Sequence, residues 1–330
     1  MRPTTLAAFT LAVLASAAAA QDRPVLKVMT YDSFVPDWGP GPAIEANFEA
    51  VCDCDLQFVA AGDGAALLAR AQILGEDNDA SVILGLDSNL IEQARATGLF
   101  AEAPVGTTFD LLPVAWTDPV FRPYDWGHFA FVHRADLADV PSSFRELADS
   151  DLRIVIQDPR SSTPGLGLVM WVKAAYGEEA PAIWEALADN IVTVTPGWSE
   201  AYGLFLDGEA DMVLSYTTSP SYHLIAEEDP GYAFARFDEG HYMQVEVAAK
   251  LAAAPEPELA DQFLAFMATE GFQGVIPTTN WMFPVVTPEA GLPEGFAEPL
   301  PAEASLLFAP EEAAALRDAA VEEWRAALAR

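Results

Sequence analysis

Four polar segments of this chain carry aromatic side chains at positions where a folding core would not need them. They are rich in Gly, Pro, Ser and Thr and read TYDSFVPDWGPGP (30–42), TPGWSEAYGLF (195–205), LSYTTSPSYH (214–223) and PTTNWMFP (277–284). A packing aromatic normally lies within an apolar run of helix or strand period. Aromatic faces on loops can instead bind a flat or cationic small molecule. These segments therefore predict a ligand cleft.

Trp198 and Tyr216 are the leading candidates for the faces of this cleft, followed by Tyr222, Trp38 and Trp281. Each stacking or cation–π contact contributes roughly 0.5–2 kcal/mol, and more where water is excluded. The alternative is that these rings pack between secondary-structure elements.

Two further segments carry polar groups that could complete the cleft. Asp63 lies between two glycines directly before a predicted helix, where it could cap the helix or contact a ligand. The segment SSTPGLG (161–167) is typical of a helix N-terminus, and such an end can bind an anion. Capping by Thr163 alone explains the segment equally well. Asp87, which ends a predicted strand, is a weaker candidate for the same cleft.

Sequence signatures of catalysis and of metal binding are absent. The chain has no G-x-S-x-G elbow, P-loop or H-E-x-x-H motif, and its four histidines show no ligand spacing. We therefore expect a binding protein rather than an enzyme, with no metal and no cofactor.

The first third of the chain alternates predicted strands and helices. The strands are residues 25–32, 55–61 and 81–87, and the helices are residues 42–51, 65–74 and 89–98. In the first helix, Ile44, Phe48 and Val51 are predicted to lie on one buried face. Near-continuous apolar strands of this kind favour a parallel sheet that is covered on both faces.

The Pro-punctuated stretch 114–134 is too irregular for another strand–helix unit and is interpreted as a crossover. Further helices are predicted at 144–150, 166–177, 180–190, near 199–207, at 257–269 and at 310–329. Further strands are predicted at 153–159, 192–195, 212–216, 232–237 and 241–252. We expect an α/β protein with two lobes and hinges near 115–130 and 238–245. Lobe 1 would comprise residues 21–120 and 241–330, lobe 2 residues 121–240, and we leave open whether the C-terminal part crosses to lobe 2.

Length, charge and cysteines restrict the function further. Residues 1–20 combine one Arg, an apolar stretch and a small-residue end, which predicts a signal peptide cleaved after Ala20. The formal charge of −34 disfavours nucleic acid and anionic membranes as partners and attracts small cations, although solubility alone also explains it. Cys52 and Cys54 are the only cysteines, and their pairing is left open because a Cys-x-Cys ring is tight.

The sequence resembles the family of periplasmic thiamine-binding proteins, the substrate-binding components of bacterial ABC transporters for thiamine and its phosphates. The resemblance rests on TYDSFVPDWGPGP (30–42), DPRSSTPGLGL (158–168), GWSEAYGLFLDGEADMVLSYTTSPSYH (197–223) and IPTTNWMFPV (276–285), and it extends over essentially the whole mature chain. It implies a type II periplasmic binding protein with two lobes, hinge crossovers and a ligand cleft between the lobes. Ser161 departs from the family, where a Thr is expected.

The resemblance also implies partners and site residues. We expect thiamine or its mono- or diphosphate as the cargo, an inner-membrane permease with its cytoplasmic ATPase as the partner, a periplasmic location and a monomeric state. Ser162 and Thr163 match the phosphate side of the family's site. The full set of implied ligand-binding residues is Asp63, Gly64, Ser162, Thr163, Trp198, Tyr216, Thr217, Thr218, Ser219, Pro220 and, with weaker matches, Tyr31, Trp38, Tyr222 and Trp281.

Two other functions stay open at this point. The same fold could bind ferric ion, a polyamine or an oxyanion, and Tyr216 with Tyr222 would be a weak tyrosinate pair for iron. An exported thiamine-degrading enzyme would need a cysteine nucleophile, but Cys52 and Cys54 lie at the start of the second strand, away from the predicted cleft.

Overall fold

The computed structural model describes residues 23–103, 106 and 108–329, so the predicted signal peptide lies outside the described residues. The strands are β1 (Val25–Thr30), β2 (Asp55–Ala60), β3 (Val82–Asp87), β4 (Phe100–Ala101), β5 (Arg122–Arg134), β6 (Ile154–Gln157), β7 (Ile191–Thr195), β8 (Met212–Tyr216), β9 (Tyr232–Phe234), β10 (His241–Leu251), β11 (Phe283–Pro284) and β12 (Ser305–Leu306).

The helices are α1 (Gly41–Cys52), α2 (Gly64–Leu74), α3 (Ile91–Ala96), α4 (Phe144–Ala148), α5 (Thr163–Tyr176), α6 (Ala180–Leu187), α7 (Trp198–Leu206), α8 (Ser219–Ala226), α9 (Pro257–Phe266), α10 (Glu270–Gln273), α11 (Ile276–Thr279) and α12 (Pro310–Leu328). Single 3₁₀ turns occur at Asp32–Phe34, Gly75–Asp77, Gly177–Glu179 and Ala302–Ala304. The predicted strand–helix alternation of the first third is therefore confirmed.

Two parallel strand groups are joined by an antiparallel pair at the centre of the sheet. The order is β2-β1-β3-β10-β5-β8-β6-β7. Strands β2, β1 and β3 are mutually parallel, as are β8, β6 and β7, whereas β10 and β5 are antiparallel to each other and to their outer neighbours. The two central strands thus connect the two halves of the molecule.

The prediction of an irregular crossover at 114–134 was wrong for residues 122–134, which form the long strand β5. Pro123, Asp125 and Gly127 interrupt the apolar pattern, so the strand was not recognised. Its first part pairs with β10 as far as His128, and from Phe129 it pairs with β8. The chain passes between the halves by changing partner along one strand.

Helix α1 packs on the first strand group through Ile44 and Phe48, but Val51 is 72% exposed, so its predicted burial was wrong. The helix ends at Cys52, Asp53 adopts a left-handed conformation, and Cys54 packs in the cluster with Phe48 in place of Val51. Cys52 and Cys54 form a disulfide with a Cα–Cα distance of 5.2 Å, which answers the question that the sequence left open.

The C-terminal helix α12 packs against α5 and α6 of the second half and against α3 of the first. Lys173 Nζ of α5 lies 2.8 Å from Glu323 of α12, and Arg317 of α12 donates to Gln93 of α3. No helix among the described residues is both long and apolar enough to span a bilayer.

Gly167 of α5 allows the helix to approach Phe129 of β5, since a Cβ at Gly167 would overlap the Phe129 ring. We expect Gly167→Ala to lower the free energy of unfolding by about 1–3 kcal/mol through overpacking. Gly203→Ala in α7 is the matched control, because its Cβ would meet nothing within 4 Å. It should raise stability by roughly 0.5–1 kcal/mol through helix propensity. Urea denaturation measures both, and equal stabilities would contradict this account of the packing.

Candidate functional site

A cavity of about 400 Å³ lies where strands of both halves end. Tyr31 follows β1, Asp63 follows β2, Trp198 follows β7 and Tyr216 ends β8, and all four side chains line the cavity. Carboxyl ends of strands are the usual ligand position in open α/β sheets. A surface depression of about 570 Å³ near Arg134 and Tyr232 contains none of the predicted site residues.

Most of the predicted ligand-binding residues meet in this cavity. They come from loops that are far apart in sequence, so their convergence depends on the fold and not on local pattern. The predicted residues that line the cavity are Tyr31, Trp38, Asp63, Thr163, Trp198, Tyr216, Ser219, Tyr222 and Trp281. Gly64, Ser162, Thr217, Thr218 and Pro220 do not line it, and their roles in binding stay predictions.

Gly64 and Ser162 do not line the cavity, but both donate hydrogen bonds to Asp63, which does. The Gly64 N–H donates to Asp63 Oδ1 at 2.9 Å, so Asp63 caps α2, and Ser162 Oγ donates to Asp63 Oδ2 at 2.7 Å. The predicted anion position at the start of α5 is thus filled by a carboxylate of the protein itself. This contact also joins the two halves, together with the Ala66 N–H, which donates to the Ser161 carbonyl at 3.2 Å.

Thr217 and Thr218 form the turn from β8 into α8, a helix that the sequence did not predict, and Pro220 lies in the first turn of that helix. Thr217 and Thr218 are buried, and neither hydroxyl has a hydrogen-bond partner within the described part of the chain. Ser219 faces the cavity, and its hydroxyl lies 2.7 Å from that of Ser215. The site therefore receives Tyr216 and Ser219, which flank this turn, whereas Thr217 and Thr218 are buried beside them.

The aromatic wall of the second half is built by stacking. Trp198 stacks on Tyr202 with ring centroids 5.0 Å apart, and its Nε1 donates to Ser215 Oγ at 2.8 Å. Tyr222 and Trp281 meet edge to face at 5.4 Å. Trp38 is 57% exposed and stands at the opening. Rings held by one another in this way are oriented before a ligand arrives.

Trp281 has a backbone φ of 56°, a left-handed conformation that is unusual for a bulky residue. It follows α11, and its N–H donates to the Ile276 carbonyl at 3.0 Å. A left-handed residue of this kind at the end of a helix is normally Gly or Asn. Such strain is concentrated at ligand-binding sites. The indole ring lines the cavity as a result.

The sequence analysis missed a polar network centred on His223. Tyr202 OH lies 2.9 Å from His223 Nε2, and Glu227 Oε2 lies 2.6 Å from His223 Nδ1. Tyr222 OH donates to Glu227 Oε1 at 2.8 Å. Since Tyr202 and Tyr222 both line the cavity, the buried His223 fixes two rings of its wall. His223 lies four residues before Glu227, which directly follows α8, and this spacing is a signal that could have indicated the pair.

The sequence analysis also missed a row of carboxyl groups across three neighbouring strands. Glu246 of β10 is the cross-strand partner of Asp87 in β3 and of Asp125 in β5. Glu246 lines the cavity, whereas Asp87 and Asp125 are completely buried behind it. The weaker prediction that Asp87 faces the cleft is therefore not supported. A single acidic residue within the apolar run of β10 was the available signal for Glu246.

The hydrogen-bond partners of these carboxyl groups are hydroxyls and amides. Tyr124 OH donates to Glu246 Oε2 at 2.6 Å, Tyr31 OH donates to the same oxygen at 3.2 Å, and Gln244 donates to Oε1 at 3.2 Å. Asn280 Nδ2 donates to Asp125 Oδ2 at 2.6 Å. The cavity floor is therefore rich in acceptors that a positively charged ligand could satisfy.

Residues 42–276 match the family model described as bacterial extracellular solute-binding protein. The chain belongs to this family. A thiamine-binding periplasmic protein from Salmonella typhimurium is 51% identical over 321 residues, which are 96% of this chain and 98% of that protein. A protein of the same name from Brucella suis is 48% identical over 335 residues, and the match covers 100% of both chains.

A solved structure of a periplasmic thiamin binding protein is 50% identical, with a TM-score of 0.89 and coverage of 93% of this chain and 97% of that chain. Iron-bound HitA from Pseudomonas aeruginosa, at 19% identity and a TM-score of 0.74, shares the fold alone. The predicted type II periplasmic binding fold with two lobes is confirmed. The predicted lobe boundaries stay predictions.

Burial governs the electrostatics of this solute-binding site. It raises the pKa of Glu246 to about 7 and that of Asp87 to about 7, and it raises the pKa of Asp125 well above its usual range. The pKa of Asp63 is also raised by burial, although hydrogen bonds from Ser162 and Gly64 oppose the shift. For Asp125 the charge of Glu246 is the second cause.

The raised pKa of Asp87 predicts a pH-dependent stability. An Asp in the unfolded chain has a pKa of about 3.9, so the folded protein binds the Asp87 proton more tightly than the unfolded chain does. This proton contributes to the stability of the folded state at low pH, and the contribution is lost as the pH rises toward about 7. Asp87→Asn should therefore gain stability relative to the wild type between about pH 5 and 8, by at most a few kcal/mol. The comparison needs the variant because His128 and His241, whose pKa burial lowers to about 4, act in the opposite direction.

Urea denaturation of both proteins across this pH range measures the difference. Asp189→Asn, at an exposed position, is the matched control and should show a constant difference from the wild type. A constant difference for Asp87→Asn as well would contradict the raised pKa.

Proposed function

We propose that this protein binds thiamine in the periplasm and delivers it to an ABC importer. The observation that carries the proposal is a cavity whose walls are aromatic and whose floor carries Asp63 and Glu246, neither of them paired with a basic side chain in the described hydrogen bonds. Thiamine has a flat aminopyrimidine, a permanently cationic thiazolium and a hydroxyethyl arm. Each of these parts has a matching surface in the cavity.

The rings of Trp198, Tyr216, Tyr222 and Trp281 suit the two heterocycles, and the carboxyl groups suit the positive charge. Several contacts of roughly 0.5–2 kcal/mol each, added to the burial of apolar area, are consistent with nanomolar affinity, about −12 kcal/mol. The relatives that are about half identical over almost the whole chain carry the name thiamine-binding periplasmic protein. That name agrees with the chemistry of the cavity.

We extend the proposal to thiamine monophosphate and diphosphate. The cavity reaches the N-terminal end of α5, where Thr163 lines it and the Thr163 hydroxyl has no hydrogen-bond partner in the described structure. A phosphate would compete there with Asp63, which already accepts from Ser162. Thiamine and its phosphates are cargo in this proposal, and the protein needs no cofactor.

The proposed partners follow from the family. A solute-binding protein of this kind passes its cargo to an inner-membrane permease with a cytoplasmic ATPase, and we propose that it does so as a monomer after cleavage behind Ala20. Opening and closing would use the central strands β5 and β10, through which the chain passes between the halves.

Iron binding and thiamine degradation are less favoured. Burial raises the pKa of Tyr216 well above its usual range, and it raises that of Tyr222 as well, which disfavours the tyrosinates that ferric ion requires. Within the described residues no group of His, Cys, Asp and Glu is arranged to hold a metal ion. Cys52 and Cys54 form a disulfide and neither lines the cavity, so they offer no thiolate for a thiaminase reaction.

Calorimetric titration of the ligand-free protein with thiamine tests the proposal directly. We expect a sub-micromolar dissociation constant, because the rings and carboxyl groups are already in place. Addition of ferric citrate, as the comparison, should give no charge-transfer band. Absence of heat and of a thermal shift at millimolar thiamine would rule the proposed function out.

Trp198→Ala tests the aromatic wall. We expect thiamine affinity to fall by about 2–4 kcal/mol, since the substitution removes a stacked ring at the cavity. Trp116→Ala is the matched control, because Trp116 is half-buried, donates to the Phe121 carbonyl and does not line the cavity. The same titration measures both variants. A change of less than about threefold for Trp198→Ala would assign that ring to packing alone.

A further inference from the structure

The carboxyl groups of Glu246 and Asp125 lie side by side at the centre of the sheet. They are cross-strand partners on β10 and β5. Glu246 is 6% exposed and lines the cavity, whereas Asp125 is 0% exposed. Two buried carboxylates at opposite positions on neighbouring strands repel each other, and a proton on one of the two relieves this repulsion.

The hydrogen bonds described for the pair come from neutral groups. Tyr31 and Tyr124 from the first half donate to Glu246, and Gln244 donates from β10 itself. The carboxyl groups of Asp63, directly before α2, and Asp87, on β3, raise the pKa of Glu246, and Asp125 lies opposite it on β5. Like charges at directly opposite positions destabilise a sheet, and burial strengthens the effect.

We propose that Glu246 and Asp125 share one proton in the ligand-free protein and release it when a cationic ligand enters the cavity. Binding then exchanges a proton for the positive charge of the ligand. The O–H bond of one carboxyl group breaks, the proton passes to water or buffer, and no covalent bond to the ligand forms. This inference rests on the proposed function, because it requires a cationic cargo.

The exchange gives the cavity a way to discriminate by charge. A cation meets two carboxylates that it has helped to ionise, whereas a neutral molecule of the same shape meets a protonated pair and gains no such contact. The pair therefore determines the specificity for cationic over neutral ligands, and the aromatic rings determine the specificity for planar ligands. Glu246 is the member that can contact the ligand, and Asp125 acts through it.

The pH dependence follows from the same exchange. Burial raises the pKa of Glu246 to about 7, so below that pH the pair is protonated and the ligand must displace the proton. Release of one proton makes affinity rise tenfold for each pH unit. Once the pair has lost this proton, affinity becomes constant. We expect thiamine affinity to rise roughly tenfold for each unit from about pH 5 to about pH 7.

Calorimetric titration of thiamine at about pH 6, in phosphate and in Tris, counts the released protons, because the two buffers differ in their heat of protonation. We expect close to one proton for the wild type and a large reduction for Glu246→Gln. Asp125→Asn repeats the test if the first variant does not fold. Asp189→Asn is the control, since Asp189 is exposed and does not line the cavity, and it should release as many protons as the wild type. Asp87→Asn tests whether the third carboxyl group of the row holds the proton instead.

An infrared difference spectrum between the free and thiamine-bound wild type provides a second measurement. It should show the loss of a protonated carboxyl band, which would be missing in Glu246→Gln. Tight binding without proton release would overturn the exchange and leave the proposed function standing, and so would loss of the release in Asp87→Asn in place of Glu246→Gln. Absence of thiamine binding by the wild type would overturn both.

Discussion

The arrangement on which the site depends is a row of three acidic side chains across the middle of the sheet. Asp87, Glu246 and Asp125 lie on adjacent strands at matched positions and are buried. Such a row is unfavourable unless protons or a cation neutralise it. Strands β10 and β5, which carry two of the three groups, also join the two halves of the molecule. The strands that carry two of the acidic groups are therefore also the strands that join the two halves.

The aromatic walls are held by the protein itself, so they need little reorganisation by a ligand. Trp198 is fixed by Ser215 and by stacking on Tyr202, and Tyr202 in turn contacts His223. Trp281 is held in a left-handed conformation at the end of α11. Side chains ordered in advance reduce the entropy that binding must overcome. The strain at Trp281 and the buried carboxyl groups together indicate that this part of the fold is arranged for binding at some cost in stability.

Local patterns predicted most elements and much of the site, because apolar runs, caps and turn-borne aromatics are properties of neighbouring residues. Asp63 was recognised by its place before α2, and Trp198 by its polar neighbourhood. Glu246 and Asp125 were missed since each is a single acidic residue in a strand, and only strand register makes them partners. The same limit applies to β5, where Pro123 and Gly127 conceal a strand that tertiary pairing enforces. Long-range register is the information that local sequence lacks.

Asp63 and Glu246 place two different demands on a ligand. Asp63 accepts hydrogen bonds at the starts of both α2 and α5, so its charge is partly satisfied by the protein. Glu246 lies among acidic neighbours and accepts from tyrosines and an amide. A positive charge therefore gains more at the Glu246 end, where the described hydrogen-bond donors are neutral. An anionic arm gains more beside Thr163, at the N-terminal end of α5, where Asp63 is the competing acceptor. This difference between the two ends would orient a ligand that carries charge of both signs.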